Sequence, residues 1–336
     1  MEGSGEFRVM IELLDLKVDI VFKDFFGDKS SKEILESFIN SILGFEGDDL
    51  IEVEEFLDPR KMRVEVGKPT TFVDLSVKAR GGERYIIEMQ TYNHEGFDKR
   101  LLYYLGKDYT EQIEYQYHLP KIKKGGKGKK PKKMIGWGDL PIVHVVAIID
   151  FHRNQKEKNG VLNHHEVVET YRFRPDVSES NGHIFDHWKA TIVDLTKFRS
   201  KPVNKLQTNK EKWIYILNDA PSLKKEEREA LKKDPVFQRA LERLEVLSAD
   251  PKTRKAYETS VNEQRDHLAI LQAAEKKGLE EGRKEGIEEG RKEGIKEGIE
   301  EGIKEVALVL LKQGLQVNQI SEATGLSDEE VLSLRK

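Results

Sequence analysis

Cysteine is absent from the 336 residues of this chain. Its absence excludes disulfide scaffolds, cysteine-ligated zinc sites, iron–sulfur clusters and cysteine nucleophiles. Long hydrophobic runs are missing as well, since none approaches the roughly 18 to 20 residues of a membrane span. The first residues also lack the basic start and apolar core of a signal peptide. We therefore expect a cytoplasmic protein without a membrane partner.

The chain has little net charge, because 57 Lys and Arg oppose 61 Asp and Glu, which leaves −4. This excludes a uniformly basic coat for nucleic acid, so any such contact must come from a local patch. Charged residues nevertheless form 35% of the chain, well above the usual quarter. We therefore expect one globular domain with a solvated, highly charged appendage.

Composition divides the chain into five segments. Residues 13–220 carry most aromatic residues and all three tryptophans, which predicts the globular domain. Residues 221–277 are predicted to be helical, 278–305 form a Gly-Glu repeat helix, and 306–336 form a small helical tail. Residues 1–12 are expected to be a flexible N-terminus without function, and their Gly-Ser-Gly-Glu-Phe run is typical of a cloning remnant.

Hydrophobic spacing within the globular segment predicts an α/β (α+β) fold, with a small mixed sheet flanked by helices. A nearly all-apolar run is expected to be a strand buried on both faces. In chain order the predicted elements are a helix at Leu16–Leu43, strands at Phe72–Val77 and Tyr85–Thr91, a helix at Lys99–Tyr117, the buried strand at Ile142–Ile149 and a short strand at Ile192–Leu195.

The two strands around Gly81-Gly82 bring acidic residues together. Alternation along a strand puts Asp74, Glu88 and Gln90 on one face. The opposite face is apolar and should pack into the core; it carries Val73, Leu75, Val77, Tyr85, Ile87 and Met89.

This arrangement depends on the loop that joins the strands. A two-residue Gly81-Gly82 loop would put Asp74 opposite Met89, whereas an odd-length loop or a bulge would put Asp74 opposite Glu88. We predict the odd-length loop or the bulge.

Two carboxylates and an amide oxygen at one point are hard ligands that suit Mg²⁺ or Mn²⁺. Such a site usually keeps several waters and accepts a substrate phosphate. The alternative is that the carboxylates only pair with a nearby Lys or Arg.

These residues resemble the D…(D/E)xK core of the PD-(D/E)XK nuclease superfamily. The resemblance is closest to its transposase-like branch, the recombination-promoting (Rpn) nucleases, and covers nearly the whole chain. Besides Asp74 and Ile86-Ile87-Glu88-Met89-Gln90, the matching motifs are Asp19–Lys23 with Phe26-Gly27, Arg100–Tyr104, Asp194–Phe198, Trp213 and the late Glu-Gly repeats.

The resemblance implies a restriction-endonuclease-like core in which Asp74 and Glu88 bind Mg²⁺, with Mn²⁺ as a substitute. It implies the Met89 carbonyl as a third ligand, and Gln90 stands where the wider superfamily has lysine. Glutamine cannot act as a base, but Glu-x-Gln is usual in this branch.

The resemblance also brings in the opening helix and the helix after Gln90. Asp19 matches an acidic position of the opening helix, although it could simply be an acid at a helix N-terminus. Lys23, Arg100 and Tyr104 are candidates to steady a DNA phosphate, with core packing or surface pairing as the alternative for each.

A lysine-rich segment at 121–133 is a second candidate DNA contact, because clustered cations attract a phosphate backbone. The alternative is a solvated, disordered loop. The G-x4-G-K-[ST] pattern is absent, so no nucleotide cofactor is predicted. The lysines proposed to contact DNA are Lys123, Lys124, Lys127, Lys129 and Lys130.

Glycine recurs at every fourth residue from Gly278 to Gly302. We favour a helix that self-associates into a homo-oligomer, with a flexible spacer as the alternative. The tail has helix-turn-helix-like spacing, but its second helix opens with three acidic residues, 328–330, which favours packing or oligomerisation.

Together these features predict a Mg²⁺-dependent DNA endonuclease associated with recombination or transposition-like processes. The alternative is a catalytically weakened DNA-binding or assembly protein that keeps the fold. A nuclease that acts on RNA is a third hypothesis.

Overall fold

The computed structural model describes residues 11–58, 73–93, 96–117, 140–152, 166–173 and 185–335. Contacts divide the chain into two compact units, Met1–Asn262 and Glu263–Lys336. The first unit contains a mixed six-stranded sheet with the order β1-β2-β3-β4-β6-β5. Its strands are β1 (Val53–Leu57), β2 (Leu75–Ala79), β3 (Arg84–Gln90), β4 (Val143–Ile149), β5 (Val168–Phe173) and β6 (Phe185–Asp194).

Helices flank this sheet and continue into the second unit. They are α1 (Asp19–Phe26), α2 (Lys32–Leu43), α3 (Phe97–Tyr117), α4 (Asn209–Asp219), α5 (Lys225–Leu231), α6 (Pro235–Ala249), α7 (Pro251–Lys312), α8 (Val317–Thr324) and α9 (Asp328–Ser333). The predicted mixed α/β sheet with flanking helices and a helical C-terminal region is confirmed.

The centre of the sheet is parallel and its edges are antiparallel. β3 pairs in parallel with β4, and β4 with β6, whereas the β1–β2, β2–β3 and β5–β6 pairs are antiparallel. Every residue of β4 is buried, as expected of a strand covered on both faces.

Two hydrophobic clusters cover the two faces of the sheet. On one face, helices α1, α2, α4 and α6 pack against the inward side chains of β2 and β3, with Trp213 fully buried among them. On the other face, α3 packs through Phe97, Leu101, Tyr104 and Leu105. The face that carries Glu88 is therefore covered by α3.

The predicted helix Leu16–Leu43 is wrong in its middle, because the chain breaks between α1 and α2. A Cβ at Gly27 would lie only 2.8 Å from the Leu75 side chain, so the chain passes close to β2 there. The Asp28 side chain then accepts a hydrogen bond from Ser30 N at 2.7 Å and starts a new turn at Lys29–Ser31.

The prediction also missed both edge strands and most of β6. β1 and β5 each have one neighbour in the sheet, and their side chains are mainly half-buried or exposed. Edge strands of this kind lack the apolar alternation that identifies a strand in sequence. For β6, only the apolar end after Thr191 was recognised.

The second unit contains the exposed C-terminal part of α7 and a small cluster at its end. Ala307, Ile320 and Val331 are fully buried against one another, one from each of α7, α8 and α9. A capping box begins α9, since the Ser327 side chain accepts from Glu330 N and the Glu330 side chain from Ser327 N. Among the described residues, no helix is both long and apolar enough for a bilayer.

Candidate active site

The β2–β3 hairpin has the odd-length connection that the register condition requires. Leu75 pairs with Ile87 and Lys78 with Arg84, and the Ala79 N–H then donates to Glu83 O at 2.8 Å. Gly82 adopts φ +101° in this turn, a value that favours glycine. Continued by one residue, the register places Asp74 opposite Glu88, so the predicted odd-length loop is confirmed.

Two hydrogen bonds tie Asp74 to the Glu88-Met89 segment of β3. The Asp74 N–H donates to Glu88 Oε1 at 3.2 Å, and the Met89 N–H donates to Asp74 Oδ2 at 2.7 Å. Only 8% of Asp74 and 1% of Glu88 is exposed. The hairpin therefore holds two carboxylates side by side, away from bulk water.

The prediction that Val73 shares the core face of Leu75 and Val77 is wrong. Val73 belongs to the cluster under α3, with Ile86 and Leu101. β2 begins only at Leu75, so the two-residue alternation of a strand does not extend back to Val73.

Helix α1 presents a cation and a further acid to Asp74. Lys23 Nζ lies 3.2 Å from Asp74 Oδ1 and 2.6 Å from Asp19 Oδ1. After burial, the neighbouring Asp19 carboxyl also raises the pKa of Asp74, but the Asp19 side chain is half exposed. Within the described residues, no three acidic or histidine side chains form a metal-holding group, so Asp19 does not complete a three-carboxylate set.

Gln90 does not direct its amide oxygen towards the carboxylates. Its Oε1 accepts a hydrogen bond from the Arg100 guanidinium, and its Nε2 donates to Glu88 Oε2 at 3.2 Å. The expectation that an amide oxygen joins two carboxylates as a metal ligand is therefore wrong. The reason is the guanidinium, which has donors only and must face the amide oxygen.

Arg100 and Tyr104 lie on the same side of α3. The Arg100 Cζ atom is 5.9 Å from the centre of the Tyr104 ring, and Tyr104 is buried. Burial, together with the negative charge of Glu88, raises the pKa of the Tyr104 hydroxyl to about 12, so this hydroxyl stays protonated at neutral pH. Contacts of Lys23, Arg100 and Tyr104 with DNA remain predictions.

The lysines predicted to contact DNA at 123, 124, 127, 129 and 130 lie outside the described residues. Sequence reasoning also missed the link from Arg100 through Gln90 to Glu88. The available signal was a basic residue in the first turn of the helix after the Glu-x-Gln strand, but its target could not be identified without the packing of α3.

The carboxylates of Asp74 and Glu88 are buried close together, an arrangement that a bound cation would stabilise. Burial raises the pKa of Asp74 to about 6, although the nearby Lys23 ammonium opposes that shift. Burial and the neighbouring Asp74 raise the pKa of Glu88 well above its usual value. Two desolvated carboxylates with oxygen donors of this kind suit a hard divalent ion such as Mg²⁺, so the residues present fit the metal that the resemblance implies.

A mixed sheet with one carboxylate just before a strand, and a second within the next strand of the hairpin, is the arrangement of a PD-(D/E)XK nuclease core. The family model of the PD-(D/E)XK nuclease family transposases matches residues 16–274, and the chain belongs to this family. Membership supports a nuclease-like or transposase-related role. No curated protein and no solved structure is significantly similar to the chain.

Proposed function

We propose that this protein is a Mg²⁺-dependent DNA endonuclease that hydrolyses phosphodiester bonds in recombination or transposition-like processes. The observation that supports this most strongly is the hairpin register, which sets the buried carboxylates of Asp74 and Glu88 side by side. Lys23 forms an ion pair with Asp74, but the hairpin brings a second acid, Glu88, into the interior beside it.

The carboxylates of Asp74 and Glu88 would hold the ion, with the Met89 carbonyl as a third protein ligand and Mn²⁺ as a substitute. The chemistry supplied by such an ion is activation of the attacking water and compensation of charge on the phosphate. Burial raises the pKa of Asp74, and the Lys23 ammonium opposes that shift through their ion pair. Gln90 supplies an N–H donor beside Glu88, which can orient water or a phosphate oxygen but cannot remove a proton.

DNA would be held by cations outside the carboxylate pair. The lysines of 121–133 would supply a salt-sensitive attraction to the phosphate backbone, whereas Arg100, on the Glu88 side of the site, is engaged with Gln90. A homo-oligomer formed through α7 would present more than one such site to the same DNA.

A DNA-binding or assembly protein without cleavage activity is the second candidate. It is favoured by Gln90 in the place of the superfamily lysine, and by the ion pair in which Lys23 already offsets part of the charge of Asp74. The retention of both buried carboxylates argues against it.

Plasmid cleavage tests the proposal. We expect nicking in Mg²⁺ or Mn²⁺ and none in EDTA, and a loss of at least about 100-fold in Asp74→Asn and Glu88→Gln, because each removes one charged ligand of the ion. The matched control is Glu33→Gln, which removes an exposed carboxylate paired with Arg239. Binding of DNA without cleavage by folded wild-type protein would support the second candidate instead.

A further inference from the structure

The amide oxygen and nitrogen of Gln90 have similar shapes, so their hydrogen-bond partners determine which is which. Arg100 donates to one end of the amide, and a guanidinium has no acceptor, so that end must be the oxygen. The other end is therefore the nitrogen, and it points at Glu88 Oε2 at 3.2 Å. A continuous chain of donors thus runs from Arg100 through Gln90 to Glu88.

Arg100 is itself held in place for this contact. It lies in the first turn of α3, and its guanidinium sits over the ring of the buried Tyr104, an arrangement that attracts a cation. Among the described residues, Arg100 forms no ion pair with Asp74 or Glu88, and its buried Nε has no hydrogen-bond acceptor. Its charge acts on Glu88 through space, and its hydrogen-bonded path to Glu88 runs through the intervening amide.

We propose that Arg100 is a positioning residue that acts through Gln90, and that the two together supply the positive hydrogen-bond donor given by lysine in the wider superfamily. This inference rests on the proposed nuclease function. A charged donor on the amide oxygen draws electron density from the amide and strengthens its N–H as a donor. The N–H beside Glu88 thereby gains part of the character of an ammonium group, and Arg100 prevents the amide from turning its oxygen towards the ligand carboxylates.

The position of the donor determines which kinetic constant it affects. An N–H aimed at Glu88, at a water or at a phosphate oxygen acts where the bond breaks, so weakening it lowers kcat. A direct contact between Arg100 and a DNA phosphate would instead raise KM, whatever residue occupies position 90. The dependence on position 90 therefore separates the two roles.

A double-mutant cycle between positions 90 and 100 measures this dependence. In the wild-type background, Arg100→Gln is expected to lower kcat by roughly 10- to 100-fold with KM changed by less than about twofold. Arg100→Lys keeps a cationic donor and should recover part of that loss. In the Gln90→Lys background the charge is already beside Glu88, so Arg100→Gln should cost less than about threefold. Arg239→Gln, which removes an exposed arginine far along the chain, is the control.

Equal losses in both backgrounds, or a loss confined to KM, would overturn the role of Arg100 while leaving the nuclease function intact. Absence of metal-dependent cleavage in the wild type and in Gln90→Lys would instead reject the nuclease function, and with it the catalytic consequence of the contact.

Nuclear magnetic resonance of metal-free, [¹⁵N]glutamine-labelled protein tests the contact without relying on cleavage. The Gln90 side-chain signal is the one that disappears in Gln90→Lys. We expect its two protons to be well separated and to exchange slowly with water in the wild type and in Arg239→Gln. In Arg100→Met, which adds no labelled amide and no donor, they should move to the free-amide position. A free-amide signal in the wild type would contradict the contact.

Discussion

The burial of the Asp74 and Glu88 carboxylates opposes folding. Each loses most of its hydration, and the two negative charges face each other with a single lysine, Lys23, in an ion pair with Asp74. Buried carboxylates whose charge is incompletely offset are costly for stability. The cation proposed to bind the two carboxylates would offset this cost.

The raised pKa of Asp74 predicts a specific pH dependence. Because its folded pKa is about 6 and its ordinary value is 3.8, the folded state binds more protons between these values, and stability falls as the pH rises through them. In EDTA at pH 8, Asp74→Asn should therefore be more stable than the wild type by on the order of 1–2 kcal/mol. The difference should shrink at pH 5. Chemical denaturation at both pH values measures it.

Asp28 provides a control of opposite sign. Its hydrogen bonds with Ser30 lower its pKa, so Asp28→Asn should lose stability at pH 8. Added Mg²⁺ should stabilise the wild type and leave Asp74→Asn unchanged. If Asp74→Asn were less stable than the wild type in EDTA at pH 8, the ion pair with Lys23 would outweigh burial and the account of the charges would be wrong.

The sequence predicts which residues of the hairpin share a face, but it does not predict the contacts that their side chains make. The shared face of Asp74 and Glu88 follows from strand alternation and one assumption about loop length. The orientation of Gln90 depends on Arg100, which lies ten positions away on another element, and the packing of α3 that brings them together is not encoded in any local pattern.

Among the helices, α7 has the sequence that contacts within the chain explain least. None of its seven glycines at 278–302 has another part of the described chain within 4 Å of where a Cβ would lie, although each costs about 0.5–1 kcal/mol relative to alanine. Exposed apolar residues follow several of them, at Leu279, Ile287, Ile295 and Ile299. The segment 278–305 has ten Glu against six Lys and Arg, so a second copy of this mixed-charge helix is a better partner than DNA.

We therefore predict that Ile287→Lys combined with Ile295→Lys lowers the molecular mass in solution to that of the 38.7 kDa monomer, whereas the wild type is larger. A charge at each of these positions would be buried unpaired in the contact between copies. Leu50→Lys makes the same change at an equally exposed apolar residue of the first unit and should not alter the mass. Light scattering coupled to gel filtration measures it, and a monomeric wild type would contradict the prediction.

Buried strands were predicted more accurately than exposed ones. The bounds of β3 and β4 were predicted to within one residue, because alternation and an apolar run identify them, whereas β2 was predicted to begin three residues too early. β1 and β5 were missed because edge strands bury little, and the break between α1 and α2 was missed because it depends on the close approach of Gly27 to Leu75.

At the scale of the whole molecule, we propose that the first unit cleaves DNA and the second unit mediates assembly. The family match covers residues 16–274, which includes the sheet, both carboxylates and α3. The exposed repeats of α7 and the small α8–α9 cluster lie largely beyond it. Loss of assembly should therefore leave the metal site of each copy intact.

The most direct test of the central claim is a titration of the DNA-free protein with Mn²⁺, in which electron paramagnetic resonance measures the concentration of the free ion. We predict one site per chain in the wild type and in Glu33→Gln, and at least about a tenfold loss of affinity in Asp74→Asn and in Glu88→Gln. Equal Mn²⁺ binding by the wild type and both carboxylate variants, or no binding by any of them, would contradict a metal site at this carboxylate pair.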